Sequence, residues 1–458
     1  MALAANQQTI VSQADRQAVL REYRAISKNW MRKQWLQSQN RYKLDAAKRL
    51  KDDADANRIL NDAQLRQYIA ASSVIHCLDG WSYLGRAIDA TLKGDSATAC
   101  HLAYYAELRA AMSLLAAEGI GVFNNKHYIV DKHSRCAKVP RPPKSHNNGI
   151  PQGTHVFAWE ALEHWGSTNS AATLVFGVIA PGGLPLSEWM DRFSILVGNR
   201  SILAGHWLMQ WGVDLKRFSD DRDARNISSY RPTTFSSAGA LKPCASINSI
   251  KEIWRIYEPS HSYRFATLDR YLLKSSLEFY FHHTHGSHRT VRQAKAMYKR
   301  HIGAMLHELA PRDTSVNWLD FLTSNLGNSL QLFKDAKGTA EPTEPMHQVQ
   351  VSARAALLLR IATGASQALL ASLPADSAHL HFWWSQVGLD RCLWHVGAEP
   401  SQFVDLWADI HDSIEEVEQW CSGGDEVSRS YQRLWLEKAT PTSTLGTCER
   451  VALWGLGL

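Results

Sequence analysis

Residues 96–117, SATACHLAYYAELRAAMSLLAA, decide the fold class of this chain. Alanine and leucine dominate the stretch, and apolar residues fall on nearly every side of a helix with about 3.6 residues per turn. Such a helix buries almost all of its faces, so we expect it in the core of a helical bundle. Gly94 and Asp95 interrupt the helical pattern before it, with Asp95 or Ser96 as the N-cap, and Gly119 ends it.

Helical patterns continue on both sides of this segment. Residues 63–93 are its predicted helical partner, and residues 14–39 form a predicted amphipathic helix with a basic outer face. The β-branched run 174–180 is predicted as a buried turn or short strand, and residues 128–130 are predicted as a strand. The sequence therefore predicts an all-α protein built of multi-helix bundles. Further helices are predicted at 43–55, which we expect to be exposed or facing a partner, at 156–165, 186–197 and 200–218, through 249–334, and in about four segments after 348.

Composition divides the chain into four predicted parts. These are a basic helical N-terminal extension (1–60), a helical bundle (61–235) with a long loop (119–153), a basic helical region (240–335) and an acidic helical C-terminal region (349–458). The loop holds four prolines and four glycines, which is typical of a mobile or functional segment. Residues 336–348 are rich in Gly, Pro, Glu and Thr and are predicted to be a linker.

Charge is unevenly distributed along the chain. The whole chain has a net charge of +6. The segment charges are +6 in residues 1–66, +7 in residues 240–302 and −8 in residues 374–458. A basic body can meet a polyanion, and an acidic end can dock on a basic partner protein. Solvated helix faces without a special role explain the same numbers, and these three interpretations stay open.

The seven cysteines indicate free thiols. The closest two, Cys77 and Cys100, are 23 residues apart, so neither a CxxC motif nor a disulfide framework is predicted. We therefore expect an intracellular, cytoplasmic protein. No apolar run reaches the roughly 20 residues that span a bilayer, and the N-terminus does not read as a signal peptide. No membrane partner is predicted.

The sequence lacks the common catalytic and ligand-binding motifs in which the chemistry sets the spacing of the residues. It contains no GxxxxGK[ST], GxGxxG, HExxH, GxSxG or EF-hand loop. We therefore predict no cofactor and no metal site.

Histidines cluster in residues 281–289, FHHTHGSHR, and basic residues follow. No acidic residue lies between Phe279 and Lys299, so the local field favours an anion over a metal cation. An ordinary solvated connection between helices is the alternative. The predicted nucleic-acid contacts are His285, His288, Arg289, Arg292 and Lys295, together with Arg231 from the segment described next.

The segment Arg225–Pro232, RNISSYRP, follows a predicted amphipathic helix. An arginine beside a polar residue near a helix end can hold a phosphodiester. A structural explanation competes with this one, in which Asp220, Asp221, Arg222, Asp223 and Arg225 form a local salt-bridge network that closes the helix end.

This segment resembles the Arg-Asn-x-x-x-His motif of HEPN domains, the all-helical family of prokaryotic defence ribonucleases, toxins and their inactive relatives. Residues 101–115 are similar to the core helix of these bundles, and the likeness covers at most residues 60–235. In the family, Arg and His from two protomers form a metal-independent RNA-cleaving site, which implies a possible homodimer. The resemblance implies that Arg225 and Asn226 are catalytic residues, with Tyr230 in the position of the histidine.

Tyr230 decides the order of the functional hypotheses. A tyrosine, with an unperturbed pKa of about 10, does not exchange protons at neutral pH as histidine does. The leading hypothesis is a nucleic-acid-associated component of a prokaryotic anti-phage defence system, acting with other protein subunits on RNA or DNA. One alternative is a HEPN-type ribonuclease whose imidazole comes from His101, His127 or His206. The other is a helical scaffold that binds only proteins.

Overall fold

The computed structural model describes residues 2–56, 61–145, 147–197, 208–209, 211–230, 241–260, 263–285, 291–324, 330–341, 344, 346–373, 377–402, 405–423 and 429–457. These residues contain twenty α-helices and one small sheet, so the all-α prediction is confirmed. The helices are α1 (Ala5–Val11), α2 (Arg16–Ser27), α3 (Ala46–Asp55), α4 (Asp62–Leu92), α5 (Ser96–Ala117), α6 (Thr154–Gly166), α7 (Asn169–Val178), α8 (Leu186–Val197), α9 (Arg217–Tyr230), α10 (Pro243–Ile256), α11 (Ala266–His285), α12 (Val291–Leu309), α13 (Trp318–Thr323), α14 (Gln331–Lys337), α15 (His347–Ala371), α16 (His381–Asp390), α17 (Asp405–Ser422), α18 (Tyr431–Glu437), α19 (Ala439–Leu445) and α20 (Glu449–Leu456).

Helices α4 and α5 are the centre of the fold, and they pack along each other. The predicted break between them is confirmed, because the Asp95 carboxylate accepts a hydrogen bond from the Thr98 backbone N–H at 3.0 Å and caps α5. Gly119 follows α5 with a φ of +90°, a conformation that favours glycine. Helix α5 is buried on almost every face, as its composition predicts.

Helix α15 packs against both α5 and α4, although more than 200 residues separate it from them. The Thr363 hydroxyl accepts a hydrogen bond from Trp81 Nε1 of α4 at 2.9 Å, and Ser366 Oγ lies 3.4 Å from Ser113 Oγ of α5. The four predicted domains stay a prediction. Helix α15, from the predicted C-terminal region, completes a core that α4 and α5 begin.

The N-terminal helices differ from the sequence prediction in their extent. The amphipathic helix predicted over 14–39 ends at Ser27, and a short 3-10 turn at Trp30–Arg32 and a left-handed Lys33 follow it. Helix α3 was expected to be exposed or to face a partner. Its Leu50 is buried, because α3 packs its apolar side inward.

Further along the chain, the run 174–180 is mostly helical, because α7 continues through it to Val178. The predicted helix 200–218 is interrupted, because Trp211–Lys216 is not helical and α9 begins only at Arg217. Its first part, with Trp207, lies outside the described residues. The linker predicted over 336–348 is shorter in the structure. Its first two residues belong to α14, and its last two belong to α15.

Residues 119–153 contain a three-stranded antiparallel sheet. Its strands are β1 (Ile120–Gly121), β2 (Tyr128–Val130) and β3 (Cys136–Lys138), in the order β1-β2-β3. The predicted strand 128–130 is therefore confirmed as β2. An isolated bridge between Ala14 and Asp131 ties this sheet to the N-terminal segment.

The prediction that all cysteines are free is wrong. Cys244 of α10 and Cys421 of α17 form a disulfide with a Cα–Cα distance of 5.7 Å. The pair is separated by 177 residues, so only the packing of α10 on α17 brings the two cysteines together. Cys77, Cys100, Cys136, Cys392 and Cys448 form no disulfide. The cytoplasmic location stays a prediction, and cysteine usage no longer supports it.

We expect the disulfide to stabilise the fold, because it closes a long loop in the unfolded chain. Reduction, or Cys244→Ala, is expected to lower the free energy of unfolding by about 2 to 4 kcal/mol, measured by urea denaturation. The exposed free Cys392 offers a matched control, and Cys392→Ala should change stability little. If reductant destabilised Cys244→Ala as much as the native protein, the disulfide would not be the cause.

Within the ranges that the structure describes, no helix combines the length and the apolar character that a membrane crossing requires.

Candidate functional site

A buried charge network fixes the position of α9 on the core. The Asp221 carboxylate of α9 accepts two hydrogen bonds from Arg354 of α15, at 2.7 Å from Nε and 2.5 Å from Nη2. Glu107 of α5 lies 3.7 Å from the same guanidinium. Burial, and then the neighbouring Asp221 charge, raises the pKa of Glu107 well above its usual value. Both effects favour the neutral form of Glu107, so the Asp221 carboxylate is the main partner of the Arg354 guanidinium.

Arg225 follows Asp221 by one helical turn, so the two residues share a face of α9. Its guanidinium carbon lies 5.5 Å from the ring centre of Tyr104 and 5.6 Å from that of Tyr105, both on α5. Across the described ranges, no carboxylate lies within 4.0 Å of Arg225. The site therefore presents a half-buried cation that rests on two aromatic rings and has no counterion among the described residues.

His155, the second residue of α6, lies against Arg225. Arg225 Nη2 is 3.3 Å from His155 Nε2, and His155 Nδ1 is 2.9 Å from Tyr104 Oη. Because a guanidinium only donates, Nε2 accepts and Nδ1–H donates to the tyrosine. Burial, and then the positive charges of Arg225, Arg222 and Arg109, lower the pKa of His155 to about 4. His155 is therefore neutral at pH 7, with a lone pair toward the arginine.

A second histidine, His101 of α5, contacts Tyr105. The two ring centres are 5.0 Å apart, and His101 Nδ1 is 2.6 Å from Ser229 Oγ of α9. Burial, and then Arg225, lowers the pKa of His101. The structure therefore brings two imidazoles to Arg225, one from α5 and one from α6.

An aromatic and basic strip extends from this cluster onto α4. Tyr105 stacks on Tyr83 with ring centres 5.3 Å apart, and the Arg86 guanidinium carbon lies 6.0 Å from the ring centre of Tyr83. Tyr83 and Tyr105 are half-buried, and Arg86 is exposed. We call Arg225, His155, His101, Tyr104 and Tyr105 the Arg225 site, and Tyr83 with Arg86 its aromatic extension.

The local surroundings of Arg225 differ from the sequence prediction. The segment after Arg217 is not a helix end, because α9 continues to Tyr230. The predicted local salt-bridge network is wrong except for the pair Arg222–Asp223, at 3.1 Å. The reason is that Asp221 and Arg225 turn toward residues of other helices. Asn226 is half-buried next to Arg225, whereas the Tyr230 side chain and Arg231 lie outside the described residues.

The predicted contacts on α11 and α12 are not part of this site. His285 ends α11, with its ring stacked on Phe281 and Nδ1 2.7 Å from Thr284 Oγ1. Arg292 and Lys295 are exposed on α12. His288 and Arg289 lie outside the described residues. Among the residues that the structure places, no three His, Cys, Asp or Glu side chains are arranged to hold a metal ion.

His127 has a structural role and is not part of the Arg225 site. It therefore does not supply the imidazole that the HEPN motif has in the position of Tyr230. Its Nδ1 accepts a hydrogen bond from the Phe123 backbone N–H at 3.2 Å, so its Nε2–H donates to the Gln152 carbonyl at 2.9 Å. Its ring stacks on Phe157 with ring centres 3.7 Å apart. His206, the other candidate, lies outside the described residues.

His155 was missed because nothing in the local sequence marks it. It stands at the start of an apolar helix, 70 residues from Arg225. A polar side chain at the beginning of that helix was the only available signal.

Acid is expected to destabilise the fold through His127. Burial lowers the pKa of His127 to about 4, against 6.5 for an unperturbed histidine. The unfolded chain therefore binds a proton between pH 6.5 and 4 that the folded chain does not bind, so stability falls as the pH falls through this window. The loss of folding free energy attributable to His127 is about 3 kcal/mol.

The variant His127→Gln should be less stable than the native protein at pH 7. It should also lose less folding free energy on acidification, measured by urea denaturation at each pH. Parallel pH profiles for the two proteins would contradict this assignment.

Family models, curated proteins and solved structures were compared with this chain, and none matches it.

Proposed function

We propose that the protein binds RNA at the Arg225 site, as the nucleic-acid-associated component of a prokaryotic defence complex. The observation that carries the proposal is the guanidinium of Arg225, which rests on Tyr104 and Tyr105 and has no carboxylate partner among the described residues. A half-buried cation without a counterion attracts an anion. The defence assignment rests on the resemblance of the segment at Arg225 to the HEPN motif.

The shape of the surroundings favours a single-stranded nucleic acid. Arginine recognises phosphate through paired N–H donors, and tyrosine faces stack on unpaired bases. Along the strip, Arg225 and Arg86 lie at the two ends, and the rings of Tyr105 and Tyr83 lie between them. Duplex DNA keeps its bases stacked inside the helix, so the aromatic extension favours RNA or another single strand.

A second function, metal-independent RNA cleavage, is favoured by the two imidazoles beside Arg225. In this reaction, the 2′-hydroxyl oxygen attacks the adjacent phosphorus, and the bond from phosphorus to the 5′ oxygen breaks. The 2′ proton goes to His155 Nε2, the 5′ oxygen takes a proton from water, and Arg225 stabilises the charged phosphorane. The products are a 2′,3′-cyclic phosphate and a 5′-hydroxyl.

The lowered pKa of His155 bears directly on this reaction. A base with a pKa of about 4 accepts protons poorly at pH 7. One cause of the low pKa is the positive charge of Arg225, which a bound phosphate offsets. Without a ligand, the site is thus suited to binding a phosphate. Once the phosphate is bound, the pKa of His155 is expected to rise.

The test is binding of labelled single-stranded RNA and duplex DNA to the purified protein at increasing salt, with RNA integrity followed on a gel in the presence of EDTA. We expect RNA affinity to fall steeply with salt, as it does when cations contact phosphates. Products ending in a 2′,3′-cyclic phosphate would support the second function. No binding at low salt would contradict the proposal and favour the scaffold hypothesis, in which the acidic and basic faces dock proteins.

A further inference from the structure

A second basic feature lies apart from Arg225, in a cleft of about 520 Å³. Its walls come from α3, from the turn that connects β1 to β2, and from the chain after β3. We call it the basic cleft. Its basic side chains are Lys48, Lys51, Lys126, Lys138 and Arg141.

Positive charge is in excess in the basic cleft. Only two carboxylates line it, Asp45 and Asp55. Asp45 already accepts a hydrogen bond from the Lys48 backbone N–H at 2.9 Å, near the start of α3. For the described residues, no ion pair joins any of the five basic side chains to a carboxylate within 4.0 Å. Like charges that converge in a concave site repel one another, and a bound anion relieves this repulsion.

The cleft is held in shape by contacts that do not depend on a ligand. Lys126 Nζ lies 3.5 Å from the Leu50 carbonyl and 3.4 Å from the Lys51 carbonyl, which ties the β1–β2 turn to α3. His127, hydrogen-bonded on both nitrogens, joins the same turn to Gln152. The site is therefore preorganised.

The cleft is not polar throughout. Phe123, Val139 and Pro142 line it together with the basic groups. Phe123 and Val139 are buried, whereas Lys48, Lys51, Lys138 and Arg141 are exposed. An apolar wall beneath a basic rim suits a ligand that has both a flat apolar body and charged phosphates.

We propose that the basic cleft binds a phosphorylated small molecule of nucleotide size. Its phosphates contact Lys51, Lys138 and Arg141 at the rim, and its apolar body lies against Phe123. A volume of about 520 Å³ falls within the usual range for small-molecule sites. This proposal stands independently of RNA binding at Arg225.

The probe is ATP, titrated into the full-length protein by calorimetry at low salt, with adenosine as the uncharged comparison. We expect saturable binding of ATP and none of adenosine. The double variant Lys51→Glu/Lys138→Glu should weaken ATP binding by at least about tenfold, since two attractive charges become repulsive.

Two controls keep this test specific. Lys132→Glu/Lys144→Glu reverses two exposed charges in the same part of the chain that do not line the cleft, and its ATP affinity should stay within about twofold of the native value. Arg225→Ala should also leave ATP binding unchanged, which separates this site from the proposed RNA site. The proposal is overturned if ATP does not bind, if both double variants weaken it equally, or if the cleft binds only RNA. A thermal melt of each variant confirms that it is folded.

Discussion

Arg225→Ala is expected to weaken single-stranded RNA binding by at least about tenfold at low salt and to make the remaining binding less dependent on salt. The guanidinium supplies a charge that no described carboxylate neutralises, and it lies over Tyr105, the half-buried ring of the site that we expect to contact a base. If the site also cleaves RNA, the loss of the group that stabilises the phosphorane should lower the rate by about a hundredfold or more. Fluorescence anisotropy and a cleavage gel measure the two effects separately.

Arg222→Ala is the matched control for this variant. Arg222 lies on the same helix and carries the same charge, but its guanidinium pairs with Asp223. We expect its RNA affinity to stay within about threefold of the native value. Arg225→Lys keeps the charge and loses the paired donors, so it should fall between native and alanine. Equal losses for Arg222→Ala and Arg225→Ala would mean that general positive charge, and not the Arg225 site, binds RNA.

Arg354→Met is expected to destabilise the fold by about 3 to 5 kcal/mol. The side chains of Arg354 and Asp221 are each only 2% exposed. Removing the arginine leaves Asp221 buried without its counterion, and an uncompensated buried charge is costly. Because Asp221 precedes Arg225 by one turn of α9, the same variant should also weaken RNA binding in the fraction that remains folded. Urea denaturation followed by circular dichroism measures the loss of stability.

Two comparisons test the cause of that loss. Arg354→Met/Asp221→Leu removes both charges and should recover at least half of the lost stability. Arg192→Met breaks the exposed pair with Glu308, whose side chains are 51% and 52% exposed, and should cost no more than about 1 kcal/mol. A double variant as unstable as the sum of its two single variants would show that the ion pair is not the source of the effect.

Local sequence was sufficient to predict the elements whose ends carry chemical signals. The boundary between α4 and α5 was placed within one residue, because a glycine and a capping aspartate stand there. Residues 174–180 were misassigned, since β-branched residues favour strands only when nothing stronger acts on them. Here the Thr168 hydroxyl caps α7 by accepting a hydrogen bond from the Ala171 backbone N–H, and the helix continues to Val178.

The site was predicted less completely, because its geometry depends on contacts between distant segments. The sequence drew attention to Arg225 and named His101 as one candidate imidazole. It could not show that His155 lies against Arg225, nor that Asp221 pairs with Arg354, 133 residues away. The same limit applies to the disulfide. Side-chain types and local spacing identify which groups can react, and the packing of helices decides which of them meet.

The late position of α15 in the chain has a consequence for biosynthesis. Helices α4 and α5 leave the ribosome long before α15, yet α15 covers the faces they share. Until residue 371 has been translated, these faces have no native partner, and the nascent chain exposes Trp81 and its neighbours to chaperones and to other chains. Helices α4 and α5 are therefore expected to reach their native packing only after α15 has been made.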